Sequence, residues 1–270
     1  MDSQTAMTFA FDRGEVMGRA AANSEAFKTA DPYAHVVIDG LLRPEVLDAV
    51  LDEFPEPEQA TWQQFQKQTE VKLALADTTQ MGPATRNLLA EFNGQVFIRF
   101  LEELTSIEAL LPDPHLAGGG LHQIRTGGFL KVHADFNRHD GLRLDRRLNA
   151  LIYLNRDWDE SYGGALELWD REMHAPVKRV LPIFNRMVVF ATTSTSYHGH
   201  PEPLTCPPDR ARRSMALYYY TNGRPAEEQA APHSTLFQHR PGERFQTSKR
   251  DALRRWIPPA ITDRRRAQKS

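Results

Sequence analysis

Cysteine is almost missing from this sequence: Cys206 stands alone among 270 residues. No disulfide can close within the chain, and a reducing cytoplasm is the expected compartment. Cys206 lies in Leu204-Thr-Cys-Pro-Pro, a loop by composition, with no neighbouring base to activate a thiol. Long apolar runs are missing too. No stretch approaches the roughly 20 residues of a membrane span, so no membrane is expected as a partner. The first residues, MDSQTAMTFAFDRGEV, hold acidic side chains and lack the apolar segment of a secretory leader. Neither sign of charge is in excess. The formal net charge is −2, so no global field draws in nucleic acid or an anionic membrane. Internal repeats and low-complexity tracts are absent. What is present is an ordinary globular composition, 40% hydrophobic and 25% charged. It suffices for one large domain with a helical annex.

The pattern of apolar residues divides the chain into three. Residues 1–118 read as a mixed, mostly helical region packing on a core. Within it, His35-Val-Val-Ile-Asp39 reads as a strand. Val46, Leu47, Val50, Leu51 and Phe54 make one helix face behind Pro44, a residue suited to a first turn. Residues 69–75 alternate weakly as a strand. Residues 84–92 and 95–104 read as amphipathic helices broken at Gly94. From 119 to 222 short apolar runs alternate with turn signals. The predicted strands are 119–124, 129–135, 147–155, 165–169, 179–184, 187–191, 195–200 and 212–221. Eight short strands in about a hundred residues predict a mainly β fold, a double-stranded β-helix (jelly roll) of eight antiparallel strands packed by N-terminal helices. Residues 223–270 read as an extension of the same domain. Residues 249–256 are predicted helical, and 262–270 form a basic tail. Arg264-Arg-Arg266 reads as solvated, because a few positive charges give only weak, salt-sensitive nucleic-acid binding.

Chemistry concentrates at the end of the second predicted strand. In Val132-His-Ala-Asp-Phe136 the side chains of His133 and Asp135 point to one face, because strand side chains repeat every two residues. His198 follows on the seventh predicted strand. Two imidazoles and a carboxylate on one face of an octahedral ion leave three adjacent positions open, which suits non-haem iron(II). Zinc is the rival metal. Arg212 opens the last strand. A guanidinium buried at a barrel mouth needs an anion, and a carboxylate can meet it through two parallel hydrogen bonds. Ser214 and Ala216 share its face. Arg213 points the other way and is the alternative anchor if the register shifts.

Six stretches now stand in order: Gly127-Gly-Phe-Leu-Lys-Val-His-Ala-Asp135, Leu148-Asn-Ala-Leu-Ile-Tyr-Leu-Asn-Arg-Asp-Trp158, Gly163-Gly-Ala-Leu-Glu-Leu168, Asn185-Arg-Met-Val-Val-Phe190, His198-Gly-His-Pro201 and Arg212-Arg-Ser214. In order and spacing they resemble the 2-oxoglutarate/Fe(II)-dependent oxygenase superfamily, in its prolyl 4-hydroxylase-like branch. The resemblance covers about a third of the chain. It implies iron ligation by His133, Asp135 and His198, with Arg212 on the 5-carboxylate of 2-oxoglutarate. Tyr153 matches a tyrosine that lends its hydroxyl to that carboxylate, and Ser214 and Asn149 line the same pocket. Gln123 stands where many members carry a tyrosine, which is a departure. His200, two residues after His198, is assigned beyond the metal or to the end of the strand. The other histidines, His122 among them, are assigned to surface or packing. The implied cofactors are Fe(II), 2-oxoglutarate as co-substrate and O2, with ascorbate as reductant. The implied reaction is hydroxylation of an unactivated C–H bond with release of succinate and CO2. A carboxylate at Asp135 argues against halogenation. Desaturation and ring closure use the same ligands and stay open, as does oligomeric state.

The substrate is either a prolyl peptide or a small molecule such as an amino acid, sugar or natural product. Two rivals of another class remain at this point: a non-catalytic cupin-like metal-binding or sensor protein, and a zinc hydrolase on a similar barrel.

Overall fold

The computed structural model describes residues 9–245. The predicted helix at 249–256, the basic tail and residues 1–8 lie outside them.

Four helices come early. α1 (Arg13–Thr29) is capped by Asp12, whose carboxylate accepts from the Glu15 amide at 3.0 Å. It escapes a periodicity search because its core face is sparse: Val16, Ala20 and Phe27 are its only buried residues. α2 (Pro44–Asp52) starts on Pro44 as expected. α3 (Pro83–Phe92) follows Gly82, where a Cβ would sit 2.1 Å from the Glu53 carboxyl. That carboxylate accepts from the Ala84 and Thr85 amides, supplying an anion at the helix N-terminus. α4 (Gln95–Thr105) follows Gly94 directly and ends at Ser106 in the left-handed region.

The strands are β1 (His35–Asp39), β2 (Gln63–Lys67), β3 (Glu70–Leu75), the two-residue β4 (Leu111–Pro112), β5 (Gly120–Arg125), β6 (Phe129–Ala134), β7 (Asp145–Tyr153), β8 (Leu166–Trp169), β9 (Pro176–Val180), β10 (Arg186–Ala191), β11 (His198–His200), β12 (Ala211–Thr221) and the short β13 (Leu236–Phe237). The eight expected between 119 and 222 are β5 to β12. They form a jelly roll whose neighbours run β1-β10-β7-β12-β5-β3-β6-β11-β8-β9, all antiparallel. β1 and β3, from before residue 119, are integral to this sheet. β3 bends it into a barrel. Its first residues pair with β6 (Glu70 with Leu130) and its last with β5 (Leu75 with Leu121).

Two predicted strands are shorter or shifted. Residues 195–200 yield only β11, because Thr193 and Ser196 close a turn through their hydroxyls at 2.8 Å. The 179–184 prediction becomes β9 at Pro176–Val180, and the next residues turn back so that the Phe184 amide reaches Asn155 O. β2 was not anticipated, since its residues are exposed and polar.

Alternation along β12 separates two environments. Met215, Leu217 and Tyr219 face the helices, joining Phe97, Phe100 and Leu104 of α4 in the main core. Arg212, Ser214, Ala216, Tyr218 and Tyr220 face the barrel interior. The interior has its own apolar cluster, including Leu166, Leu168, Val188 and Phe190.

Candidate metal and co-substrate site

His133 is the penultimate residue of β6 and His198 begins β11, and the two are directly paired across the strands. Each imidazole is oriented by a backbone carbonyl two residues earlier. Nδ1 of His133 meets Lys131 O at 2.8 Å, and Nδ1 of His198 meets Ser196 O at 3.0 Å. With Nδ1 carrying the proton toward the carbonyl, Nε2 of each ring is free as a lone-pair donor. Asp135 completes the group, its oxygens 3.5 Å from His133 Nε2 and 3.4 Å from His198 Nε2. One ligand atom from each of the three residues lies within 4.8 Å of the other two. Burial works to raise the Asp135 carboxyl, but Arg146 and the two imidazoles outweigh it and hold it well below the usual carboxylate range. Burial and the adjacent His198 lower the His133 imidazole. A carboxylate beside two imidazole Nε2 atoms is a donor set that fits a divalent metal.

The Asp135 carboxylate is held on one oxygen. Oδ2 accepts from Arg146 at 2.9 Å and from Asn149 Nδ2 at 2.7 Å. Arg146 is fully buried, and its guanidinium lies 3.4 Å from the centroid of the Tyr218 ring. Sequence reasoning missed it for a definite reason. Strict alternation from Tyr153 and Asn149 puts Arg147 inside. The ladder shifts register between Tyr219 and Tyr220, pairing Leu148 with the first and Arg146 with the second. The extra residue turns Arg146 inward and sends Arg147 to Thr221 and Glu228. Asn149 thus sits on the metal side of the barrel, bonded to Asp135 and Arg146, and not on the Arg212 side.

Arg212 is buried, donating from Nε to Gly164 O at 2.8 Å and from Nη2 to the Tyr153 hydroxyl at 3.2 Å. Gly164 makes this possible. Its φ is +73°, and a Cβ there would lie 3.0 Å from Arg212 Cδ and 2.6 Å from Leu204. Burial lowers the Arg212 pKa from its usual value, and burial raises that of Tyr153. Among the described residues no carboxylate pairs with this guanidinium. Ser214 is buried on the same face, in register with Tyr153. Arg213 points outward to Glu56 at 2.6 Å.

Gln123 is placed differently from expectation. It pairs with Leu73 and Arg213, on the face turned toward the helices. The interior position of β5 belongs to His122, paired with Ser214. His122 is half-buried and lines the cleft described below: burial, with Lys72 and Arg212 nearby, lowers its imidazole to about 3, and its Nε2 has no partner. His200 is buried, with neither ring nitrogen partnered. Its electrostatic neighbours are Arg212, Lys72 and His133. Orphaned polar atoms beside an unpaired buried cation fit an anionic, hydrogen-bonding molecule between Arg212 and the His-Asp-His group.

A cleft of about 400 Å³ opens on this group. His133, Asp135, Phe136, Tyr218 and Phe237 line one side, and Phe65 and Lys72 of the β2–β3 hairpin line the other. Phe237 comes from β13, which pairs with β6 and brings its ring 5.5 Å from that of His133.

Residues 119–220 match the 2OG-Fe(II) oxygenase superfamily. This jelly-roll core belongs to that superfamily. Mouse prolyl 3-hydroxylase OGFOD1 is 31% identical over 86 residues, 30% of this chain and 15% of the mouse protein. The chain therefore matches only a small part of that curated relative. In fold, the core resembles a prolyl-4-hydroxylase from Pseudomonas putida (TM-score 0.54, 19% identity, 76% of this chain and 100% of that one). It also resembles HygX from Streptomyces hygroscopicus, solved with nickel, 2-oxoglutarate and hygromycin B (TM-score 0.52, 13% identity, 80% and 96%). No helix among the described residues is long and apolar enough to cross a membrane.

Proposed function

We propose that the chain is an Fe(II)- and 2-oxoglutarate-dependent hydroxylase of unactivated C–H bonds. His133, Asp135 and His198 hold the metal, and Arg212 with Tyr153 holds the far carboxylate of 2-oxoglutarate. The observation that carries this reading is Arg212: a guanidinium buried inside the barrel with no carboxylate among the described residues. Such a charge is costly unless an anion joins it. A sensor or a zinc hydrolase gives no reason for it.

When bound, iron and 2-oxoglutarate supply the oxidising chemistry, with O2 as oxidant and ascorbate as external reductant. The chain's own residues do the rest. Carbonyls of Lys131 and Ser196 aim the two imidazoles. Arg146 and Asn149 hold Asp135 through Oδ2, fixing the carboxylate that would bind the metal. Arg212 and Tyr153 meet a carboxylate in a dry, low-dielectric wall, where charge-assisted bonds are strongest. The apolar interior keeps water from the reacting centre.

For the substrate, a prolyl residue in a peptide is the first candidate. The aromatic walls formed by Phe65, Phe136, Tyr218 and Phe237 suit a compact apolar ring. The mouse relative and the Pseudomonas protein are prolyl hydroxylases, whereas HygX was solved with a small molecule. The reducing setting suggested by the single buried Cys206 favours the cytoplasm.

The test is anaerobic addition of iron(II) and 2-oxoglutarate to apoprotein, read by the visible charge-transfer band. Wild type forms the band, while His133→Ala and His198→Ala do not. Arg212→Ala needs about tenfold to a hundredfold more 2-oxoglutarate, the size of a lost hydrogen-bonded charge pair. Iron binding without the band in wild type rejects the oxygenase reading.

A further inference from the structure

We propose that His200 is a second co-substrate residue, hydrogen-bonding the same distal carboxylate that Arg212 holds. The inference rests on the 2-oxoglutarate reading above.

The argument starts with strand geometry. β11 and β6 lose register between His198 and His200: His198 opposes His133, but His200 opposes Leu130. Two residues on β11 span three on β6. His200 keeps the interior face, and the shift carries it toward Leu130 and away from the metal group. Leu130 lines the cleft, and Arg212 is the first electrostatic neighbour of the His200 ring. The ring is not a fourth metal donor, since among the described residues only His133, Asp135 and His198 bring their ligand atoms together.

The side chain is 3% exposed, and both Nδ1 and Nε2 lack any hydrogen-bond partner. A packing residue does not need two polar nitrogens, and buried polar groups are normally paired. An imidazole with one ring proton brings one hydrogen-bond donor and one acceptor to this wall. A donor next to an unpaired guanidinium suits a carboxylate. Arg212 already gives Nε to Gly164 O and Nη2 to Tyr153. The imidazole adds a donor from the neighbouring strand that the fork of Arg212 does not supply.

The experiment uses full-length protein loaded with manganese(II), titrated with 2-oxoglutarate and separately with pyruvate. Pyruvate has the same carboxylate and oxo group but no distal carboxylate. His200→Leu and His200→Phe are the apolar variants, and His200→Gln keeps an amide donor. The expected result is an approximately tenfold rise in the 2-oxoglutarate Kd for the apolar variants, the size of one hydrogen bond to a charged group. Pyruvate and manganese affinities stay unchanged, and His200→Gln recovers most of the loss. The ligand-free His200→Leu protein melts at or above the wild-type temperature, because two unsatisfied nitrogens are gone. Unchanged 2-oxoglutarate affinity, equal losses for both oxo acids, or lost metal binding each overturns the proposal. In the first case the charge-transfer band of wild type still stands. If wild type fails to bind 2-oxoglutarate at all, the oxygenase reading fails first and His200 with it.

Discussion

At the scale of single residues, the Asp135 carboxylate shows how a buried charge is aimed. Two donors on Oδ2 fix the plane of the group beside the two imidazoles. Arg146 is the stronger of the two, being charged, fully buried and stacked on Tyr218. Groups that orient a metal ligand typically contribute 10–100-fold to metal affinity. Arg146→Met is therefore expected to weaken iron(II) binding by about that factor in a competition titration with a chelator. Arg147→Met, one residue away but turned outward to Thr221 and Glu228, leaves it unchanged. Equal effects of the two substitutions count against the orienting role. His133, Asp135 and His198 were legible from spacing because strand alternation and pairing hold at those positions. Arg146 was not, because it depends on a bulge, and a bulge breaks the alternation used to find it.

At the scale of elements, turns decide where the anchor lies. The turn before β8 carries Gly164 at φ +73°, packed against Arg212 and Leu204. Gly163, at φ +74°, shares the turn, and the packing of Gly164 against Arg212 adds a second demand. Gly164→Ala forces a side chain into the left-handed region, which costs about 1–2 kcal/mol, and pushes on Arg212 Cδ. The expected outcome is a lower melting temperature together with a weaker 2-oxoglutarate Kd and an unaltered iron(II) Kd. A loss in iron affinity of the same size argues that the turn supports the whole barrel and not the anchor. The turn at residues 184–186, before β10, works similarly without a ligand. Asn185 adopts φ +57° and clamps Leu42 through both its amide and its carbonyl. That fastens the β1–α2 connection to the start of β10. His122 and Gln123 show the limit of element-level reading. Their order along β5 is plain, but which of them faces inward depends on pairing with β3 and β12.

At the scale of the whole molecule, the site is assembled from strands far apart in sequence. β6 and β11 bring the histidines together, β7 and β12 bring Tyr153 and Arg212, and β3 and β13 close the cleft. Ligands that bridge these strands bind only the folded protein, so they stabilise it by mass action. Manganese(II) plus 2-oxoglutarate, the latter at a hundred times its Kd, is expected to add about 2.7 kcal/mol. That corresponds to an upward shift of roughly 5 °C in a protein of this size. Scanning fluorimetry reads it directly. A chelator removes the shift, and Arg212→Ala reduces the part due to 2-oxoglutarate. An absent shift in wild type at saturating ligand contradicts the assignment of both groups to one folded site.

Read by itself, the sequence determined the number and order of the jelly-roll strands between 119 and 222, the positions of α2 to α4, and the candidate metal triad. These follow from local rules, namely alternation along a strand, a 3.6-residue period in helices, and turn residues between them. Only the tertiary structure decided that β1 and β3 enter the same sheet, that His122 replaces Gln123 at the interior wall, and that Asn149 serves Asp135. It alone turned Arg146 inward and left His200 without partners beside Arg212. Each of these depends on the register between strands distant in sequence, and register is set by packing across the whole barrel.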